Sequence, residues 1–270
     1  MSKNMNGLAD PQSIAEIILD VAETEIMPRY QSLSESDISE KQGGEVVTVA
    51  DEAAERALSQ RLSATLPGST ILGEEGYAAD PSVMRRLEDD APLWIIDPID
   101  GTKNFAQGRE PFTVLVALVI GGETVMGWNY DPVSGRMGMA EKGSGADYNG
   151  RAATMAEPKS LADSTGFCAS TLMASELQPK LMNLRDTCEK MNHPHCFGHE
   201  YLDLIEGVAD FSVIGRLYPW DHAAGVLMFS EAGGITDMIG GEKYQPTTLS
   251  GLMILATNLE IWQEIKSYFD

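Results

Sequence analysis

The amino-acid sequence predicts an α/β fold with a large buried core. Its first half contains two amphipathic helix patterns and a series of apolar strand-like runs, which indicates helices packed against an antiparallel sheet. Its second half alternates helical segments with short apolar strands. The 270 residues, 43% of them hydrophobic, are enough for one large domain or two closely packed lobes, and no linker separates independent units.

The charge and composition of the chain argue against several classes of protein. Acidic residues number 41 and basic residues 19, and the net charge of −22 repels nucleic acid and anionic membranes. The three cysteines are odd in number and irregularly spaced, which favours a reducing compartment over a disulfide framework. Because we find neither a signal-peptide pattern nor an apolar run that could span a bilayer, we expect a cytoplasmic protein with no membrane partner and no direct nucleic-acid partner.

The first third of the chain reads as helix, loop, strand and helix. A proline after an aspartate and the apolar spacing that follows predict a helix over residues 11–28. The polar segment Ser32–Glu45 predicts a mobile loop, in which Lys41 could close over an anion. The run Val46–Val49 predicts a short strand that leads into a second helix. Asp51 lies near the start of that helix, where an acidic residue is also favoured by the helix dipole.

Apolar runs then predict the strands of a first sheet. They cover Thr70–Gly73, Leu93–Ile96, Phe112–Ile120, Thr124–Asn129 and Arg136–Glu141, with a hairpin turn at Gly121-Gly122. The first of these strands is followed by Glu74-Glu75, a pair that taken alone is typical of a solvated turn. The strand Leu93–Ile96 also ends in carboxylates. This favours a shared site, because the ends of neighbouring strands can contribute ligands to the same ion.

The second half is predicted to mix helices and strands. Helices are expected over residues 180–191 and 200–209, from Tyr218 to a stop at Gly233-Gly234, and after the capping residue Asn258, with strands at Phe211–Ile214 and Met253–Ala256. Asp221 lies in the first turn of the third helix, where an acidic residue is more often a cap than a ligand. His193, His195 and His199 suggest a metal trio, but their irregular spacing favours a surface loop.

The most informative stretch is Trp94–Thr102, in which an apolar strand ends in two carboxylates three residues apart. Asp97 and Asp100 cannot both be buried and ionised side by side unless a positive charge neutralises them. A hard divalent cation does so with oxygen ligands alone. Gly101 allows the backbone to turn sharply, and the N–H groups of Gly101 and Thr102 would then face an anion.

Three other interpretations of this stretch compete with a metal site. The pair could belong to an ordinary Asp-rich turn after a strand. A helix-loop-helix calcium site lacks its alternating acidic ligands, and Gly108 stands where its terminal glutamate is needed. In the aspartyl-phosphate motif D-x-D-G-T the two aspartates are separated by one residue, whereas here they are separated by two.

Three segments together resemble the signature blocks of the inositol monophosphatase family. They are Gly73-Glu74-Glu75, Asp97–Thr102 and Pro219–Gly225, and the V-T-x-A-D segment at Val47–Asp51 also fits. The resemblance implies an α-β-α-β-α sandwich with an antiparallel sheet in the N-terminal half and a mixed sheet in the C-terminal half. It implies a single domain over residues 8–270, with lobes at about 8–148 and 149–270 after a disordered segment 1–7. It further implies a homodimer that hydrolyses small phosphate monoesters with Mg²⁺.

The resemblance also implies the roles of individual residues. Two or three Mg²⁺ ions are expected: one at Glu74, Asp97 and the Ile99 carbonyl, a second at Asp97, Asp100 and Asp221, and a weaker third on the Glu74 side. Asp51, Glu74 and Thr102 would be catalytic, with Asp51 and Thr102 positioning and activating the attacking water. Gly101, Thr102, Asp100 and Asp221 would bind the substrate, with the N–H groups of Gly101 and Thr102 holding phosphate. The chemistry agrees, because carboxylates from separate segments repel one another unless cations bring them together, and paired metals can activate water and stabilise the leaving group.

The sequence defines the substrate less sharply than the metal site. Many inositol-specific members carry an acidic residue seven positions before the aspartate of the W-D motif, and Ile214 occupies that position here. We expect hydrolysis of inositol 1-phosphate or a related ester by direct attack of metal-activated water. The alternatives are phosphatases for fructose 1,6-bisphosphate, histidinol phosphate or 3′-phosphoadenosine nucleotides, and a regulatory binding protein with a protein partner.

Overall fold

The protein consists of five alternating layers of helices and sheets, in a computed structural model that describes residues 9–41, 44–157 and 159–270. The α/β fold class and its layering are confirmed, with a largely antiparallel first sheet and a mixed second sheet. The segment 1–7, predicted to be disordered, lies outside the described residues. Within the described part of the chain, every helix is too short or too polar to cross a bilayer.

Two long helices form the first layer. Helix α1 (Pro11–Val21) begins where the Asp10 carboxylate accepts a hydrogen bond from the Ser13 N–H, and it continues through a π-helical turn at Ala22–Ile26. Helix α2 is Val49–Thr65. Both helices bury an apolar face against one side of the first sheet, as their spacing predicted.

The segment between these helices differs from its prediction. Residues Glu35–Asp37 form a 3₁₀ turn and Ile38–Glu40 form strand β1, which pairs antiparallel with strand β2 (Val46–Thr48). The prediction of a loop over Ser32–Glu45 is therefore wrong for these residues, and residues 42–43 lie outside the described part. Strand β1 has two polar, exposed residues, Ser39 and Glu40, after Ile38, so its side-chain pattern did not reveal a pairing that backbone groups make.

The first sheet has seven strands in chain order. They are β3 (Thr70–Gly73), β4 (Leu93–Asp100), β5 (Thr113–Ile120), β6 (Glu123–Asp131), β7 (Arg136–Glu141), β8 (Gly145–Tyr148) and β9 (Arg151–Ala152). Every neighbouring pair is antiparallel except β3 and β4, which are parallel. All eight residues of β4 are buried. Its side chains alternate, so Trp94 and Ile96 face α1 and α2 while Leu93 and Ile95 face the opposite side.

Two short helices continue strands β3 and β4. Helix α3 (Glu74–Ala79) follows β3, and helix α4 (Thr102–Ala106) follows β4 after Gly101. Because β3 and β4 are parallel neighbours, their carboxyl ends lie at the same edge of the sheet. The acidic residues predicted at the two strand ends are thereby brought to one edge.

The second sheet has five strands in the order β11-β10-β12-β14-β13. Their bounds are β10 (Thr165–Cys168), β11 (Lys190–Asn192), β12 (Phe211–Ile214), β13 (Ile235–Met238) and β14 (Met253–Ala256). Strand β10 is parallel to β11 and β12, whereas β14 is antiparallel to β12 and β13. The predicted strands 211–214 and 253–256 are confirmed. Strands β8 to β11 and β13 are short or polar, and the sequence patterns did not reveal them.

Four helices surround the second sheet. They are α5 (Gln178–Thr187), α6 (Phe197–Glu206), α7 (Pro219–Glu231) and α8 (Leu259–Ser267). Helices α6 and α7 lie between the two sheets, and α5 and α8 cover the outer face. The helix predicted over residues 180–191 ends at Thr187, because Cys188 is extended and Lys190 pairs with Thr165 in β11.

The contact of α7 with β6 depends on a glycine. A Cβ atom at Gly127 would lie 2.9 Å from the Ala224 Cα and 3.0 Å from the Ala224 carbonyl oxygen. These are backbone atoms, so no side-chain rotation can relieve the overlap. Gly127 therefore sets the distance between the sheet and the helix that carries Asp221.

We expect Gly127→Ala to destabilise the protein by about 1–3 kcal/mol, since the added methyl group must push α7 from the sheet. Thermal denaturation should show a fall in melting temperature of roughly 2–10 °C. An unchanged melting temperature would contradict the close approach of Gly127 and Ala224.

Candidate active site

The predicted site residues surround one cavity of about 480 Å³ at the carboxyl end of β4. Its wall contains Glu74, Asp97, Ile99, Asp100, Gly101, Thr102 and Asp221. The structure therefore brings together residues from β4, α3, α4 and α7. Asp51 is fully buried behind this wall and reaches it through Thr102.

Three carboxylates form a compact buried triad. Oxygen atoms of Asp97, Asp100 and Asp221 all lie within 4.8 Å of one another, and the residues are 1%, 7% and 3% exposed. In a regular strand, residues three apart face opposite sides. The pairing of β4 with β5 shifts register between Asp97 and Asp100, and this irregularity allows both carboxylates to face the same point.

Burial and mutual repulsion disfavour three negative charges in this triad. Burial and the neighbouring carboxylates raise the pKa of Asp97 and of Asp221 well above the usual range, although Arg216 opposes the effect at Asp221. Burial raises the pKa of Asp100 to about 6, even though it accepts hydrogen bonds. The triad therefore needs a bound cation if all three groups are to be ionised at neutral pH.

Two groups at the start of α6 hold Asp100. The Gly198 N–H donates to Asp100 Oδ2 at 2.5 Å, and the Cys196 Sγ lies 3.3 Å from the same oxygen. Sequence analysis did not identify either residue, because the predicted helix began at Glu200. No sequence signal links a glycine inside a helix to a carboxylate almost one hundred residues earlier.

Arg216 connects the two halves of the chain beside the triad. Its Nη2 lies 3.3 Å from Asp221 Oδ2, and its Nη1 lies 2.7 Å from Glu45 Oε1 in the turn after β1. The guanidinium group also lies over the rings of Phe197 and Tyr218. Arg216 partly neutralises Asp221, but one shared cation cannot balance three carboxylates.

Glu74 lines the cavity outside this triad. Its Oε1 accepts a hydrogen bond from Lys41 Nζ at 2.7 Å, and the same ammonium group lies 2.7 Å from Glu75 Oε1. Burial and the charge of Glu74 raise the pKa of Glu75 to about 8. Lys41 was predicted to close over an anion, whereas here it binds the two glutamates, so a cation at Glu74 would compete with it.

Asp51 and Thr102 are in contact behind the triad. Thr102 Oγ1 lies 3.1 Å from Asp51 Oδ1 and 2.9 Å from the Ile99 carbonyl oxygen, so its single proton can be donated to one of them. Asp51 Oδ2 accepts hydrogen bonds from the Thr48 N–H and hydroxyl. Burial raises the pKa of Asp51 to about 7 despite these bonds. Asp51 thus caps α2 and also contacts Thr102 in the cavity wall. Its position is therefore compatible with both a helix cap and an active-site residue.

Gly101 is required for the backbone path from β4 into α4. Its φ angle is 92°, and an added Cβ would lie 2.8 Å from the Pro111 carbonyl oxygen. This position directs the chain from Asp100 to Thr102 along the cavity wall.

Two of the three histidines belong to the cavity wall. His193 and His195 line it, with ring centroids 4.5 Å apart, whereas His199 contacts Arg136 and Asp203 instead. His193 and His195 lie in the loop before α6, as the surface-loop interpretation predicted, whereas His199 lies in the first turn of α6, so that interpretation is wrong for His199. Within the described residues, the carboxylate triad is the one group of three or more potential metal-ligating side chains whose ligand atoms all lie within 4.8 Å of one another. The three histidines do not form such a group.

Ile214 does not face the cavity. It is 1% exposed and packs in the core between the sheets. An acidic side chain is thus missing from the position that many inositol-specific members use, and Arg216 and the two histidines line the nearby wall instead.

The donor set of the triad fits Mg²⁺. It offers carboxylate oxygens alone, which hard divalent cations prefer, and no sulfur or imidazole atom belongs to the same group in the described residues. Such a cation would neutralise the excess negative charge that is buried in the triad.

Comparisons with known proteins find a matching family, similar sequences and a similar structure. The model of the inositol monophosphatase family matches residues 10–267. A fructose-1,6-bisphosphatase/inositol-1-monophosphatase of Thermotoga maritima is 34% identical over 209 residues, or 76% of this chain and 77% of the relative. The Nus factor SuhB of Escherichia coli K12 is 31% identical over 228 residues, or 82% and 83% of the two chains. The structure of a Thermotoga maritima IMPase superimposes with a TM-score of 0.81 and 27% identity, covering 95% of this chain and 94% of that one.

We expect Mg²⁺ to raise the melting temperature, since a cation that binds only the folded state stabilises it by mass action and relieves the repulsion in the triad. At 100 times its Kd, Mg²⁺ would add about 2.7 kcal/mol. Differential scanning fluorimetry with an ionic-strength control measures this shift. No shift at millimolar Mg²⁺ would contradict a metal site.

The shift should depend on pH. The raised pKa values mean that the metal-free fold favours protonated carboxylates, so its stability should fall as pH rises from about 4 to 7. Because Mg²⁺ binds the ionised groups, its stabilising effect should be larger at pH 8 than at pH 5. Melting curves at both pH values, with and without Mg²⁺, test this sign.

Proposed function

The chain belongs to the inositol monophosphatase family, and we propose that it is a Mg²⁺-dependent phosphatase of small monoesters, with inositol 1-phosphate as its leading substrate. Relatives in this family are phosphoric monoester hydrolases. The observation that carries the proposal is the buried triad of Asp97, Asp100 and Asp221, which a cation would neutralise. We also propose a cytoplasmic homodimer, which size-exclusion chromatography with light scattering would test.

Five groups would hold two or three Mg²⁺ ions, and Asp51 with Thr102 would position the water. Asp97, Asp100 and Asp221 would bind one ion, and Glu74, Asp97 and the Ile99 carbonyl another. When bound, the metal supplies positive charge that acidifies water and stabilises the developing charge on phosphate. Asp51, paired with Thr102, would accept the proton that water loses, since burial keeps its pKa near 7.

The phosphate would rest on the turn from β4 into α4. The backbone N–H groups of Gly101 and Thr102 lie at this turn, and both residues line the cavity. Backbone N–H donors bind the phosphate oxygens regardless of the alcohol to which the phosphate is attached. The buried Ile214 offers no hydrogen bond to ring hydroxyls, so we propose broad tolerance toward the alcohol half of the substrate.

A second function is supported by one comparison. A relative of similar identity carries the name Nus factor SuhB, which favours a regulatory role through a protein partner. The retained carboxylates favour catalysis, because a purely regulatory protein has no need of a self-repelling buried triad.

We expect Asp100→Asn to reduce kcat at least tenfold, because it removes a charge from the triad without changing the side-chain size. A tenfold loss corresponds to about 1.4 kcal/mol of activation free energy. Phosphate release from inositol 1-phosphate measures the rate, and circular dichroism checks the fold. The exposed Asp90→Asn is the matched control and should keep wild-type activity.

A phosphate-release panel tests the substrate proposal. Inositol 1-phosphate, 2′-AMP and glycerol 2-phosphate should give kcat/KM values within about 100-fold of one another, since phosphate and metal provide most of the binding energy. Fructose 1,6-bisphosphate, histidinol phosphate and 3′-phosphoadenosine 5′-phosphate complete the panel. A single substrate preferred by about 10⁴ or more would refute the proposed tolerance. No Mg²⁺-dependent hydrolysis of any member would favour the regulatory function.

A further inference from the structure

A buried glutamate holds His193 in the cavity wall. Glu200 is 1% exposed, and its Oε1 lies 2.8 Å from His193 Nδ1. The Ser212 hydroxyl donates to the other carboxylate oxygen at 2.8 Å. A buried carboxylate is costly unless it is hydrogen-bonded, so this pairing fixes the position of the imidazole ring.

The pairing leaves the second ring nitrogen of His193 available. Nδ1 is engaged by Glu200, and among the described residues no group forms a hydrogen bond with Nε2. The side chain is 12% exposed and lines the same cavity as the triad. Its ring is supported by His195 at 4.5 Å and Phe197 at 5.7 Å. Nε2 is therefore the polar atom that this ring can offer to a bound substrate.

The 193–198 segment and the pair assigned to the water contact different residues at the end of β4. In-line displacement at phosphorus puts the attacking water and the leaving oxygen on opposite sides. The Asp51 and Thr102 pair, assigned to the water, contacts the Ile99 end of β4. Asp100 is instead contacted by Cys196 and Gly198, on the segment that carries His193. His193 and the Asp51–Thr102 pair thus reach the site from different segments of the chain.

We propose that His193 is a catalytic residue that donates a proton from Nε2 to the departing alcohol oxygen, with Glu200 as its positioning residue. This inference rests on the proposed phosphatase function. A sugar or polyol alkoxide is a strongly basic leaving group, so protonation as the bond breaks lowers its barrier. The pair can lose the Nε2 proton and still keep one proton between Nδ1 and Glu200.

The step balances in atoms and charge. The water oxygen forms a bond to phosphorus and gives one proton to Asp51, while the bond from phosphorus to the ester oxygen breaks. The electron pair of that bond stays with the ester oxygen, which takes the proton from His193 Nε2. The products are the alcohol and phosphate, and proton exchange with solvent restores His193 and Asp51.

His193→Gln tests this role through its dependence on the leaving group. We expect kcat/KM for inositol 1-phosphate and glycerol 2-phosphate to fall about 100-fold or more, the range of general acid catalysis. For p-nitrophenyl phosphate the change should stay within roughly 3-fold, because a weakly basic phenolate departs without a proton. Glu200→Gln should show the same selective loss to a smaller degree, since it keeps a hydrogen-bonding group but removes the charge.

His199→Gln is the matched control. His199 lies on α6 but contacts Arg136 and Asp203 rather than the cavity, so the ratio of alkyl to aryl ester activity should match the wild type. Melting temperature and its Mg²⁺ shift, measured for every variant, distinguish loss of proton donation from loss of fold or metal. If His193→Gln does not fold, the Glu200→Gln variant still tests the selective loss of activity on alkyl esters.

The pairing itself can be observed without turnover. In histidine labelled with ¹⁵N, the hydrogen-bonded Nδ1 of His193 should give a low-field proton signal that is missing from both His193→Gln and Glu200→Gln. Equal losses on alkyl and aryl esters would overturn the proposal and assign His193 a structural role. A wild-type protein inactive on the whole panel would instead overturn the phosphatase function itself, and the proton-donor role with it.

Discussion

The repulsion between buried carboxylates at the end of β4 is the constraint on which the rest of the structure depends. Asp97, Asp100 and Asp221 are nearly inaccessible to water, and among the described residues Arg216 is the one cation that pairs with them. Leaving such charges unpaired costs several kcal/mol each. A scaffold that keeps them together must therefore be rigid, or the carboxylates would separate and become hydrated.

The layered fold supplies this rigidity from three directions. β4 is buried along its whole length, and its register shift aims two of the carboxylates. Helix α7 brings Asp221 to the site, at a distance set by the contact of Gly127 with Ala224. The first turn of α6 fixes Asp100 through the Gly198 N–H. Together these elements pack into three core clusters, so the site is held by most of the molecule.

The sequence predicted the parts of this arrangement that local patterns encode. Alternation and apolar runs identified β4, the following hairpin and the helix of Asp221, and the resemblance united their carboxylates. Strand β1, the partner of the predicted strand β2, was missed because it is only three residues long and two of them, Ser39 and Glu40, are polar and exposed. The contacts of Lys41 with Glu74 and of His193 with Glu200 were missed because their partners are chosen by the fold, with no fixed spacing to reveal them.

Helix α6 contacts both the carboxylate triad and the cavity histidine His193. The Gly198 N–H in its first turn holds Asp100, and two residues later Glu200 extends toward His193. The far end of the same helix is anchored by Arg136, which contacts Asp203 and Glu206. A displacement of α6 would therefore move a triad carboxylate and the cavity histidine together. In the proposed complex the phosphate lies between these groups. A rigid α6 would therefore keep a fixed distance between the triad, whose bound cation contacts phosphate, and His193, which donates a proton to the leaving oxygen.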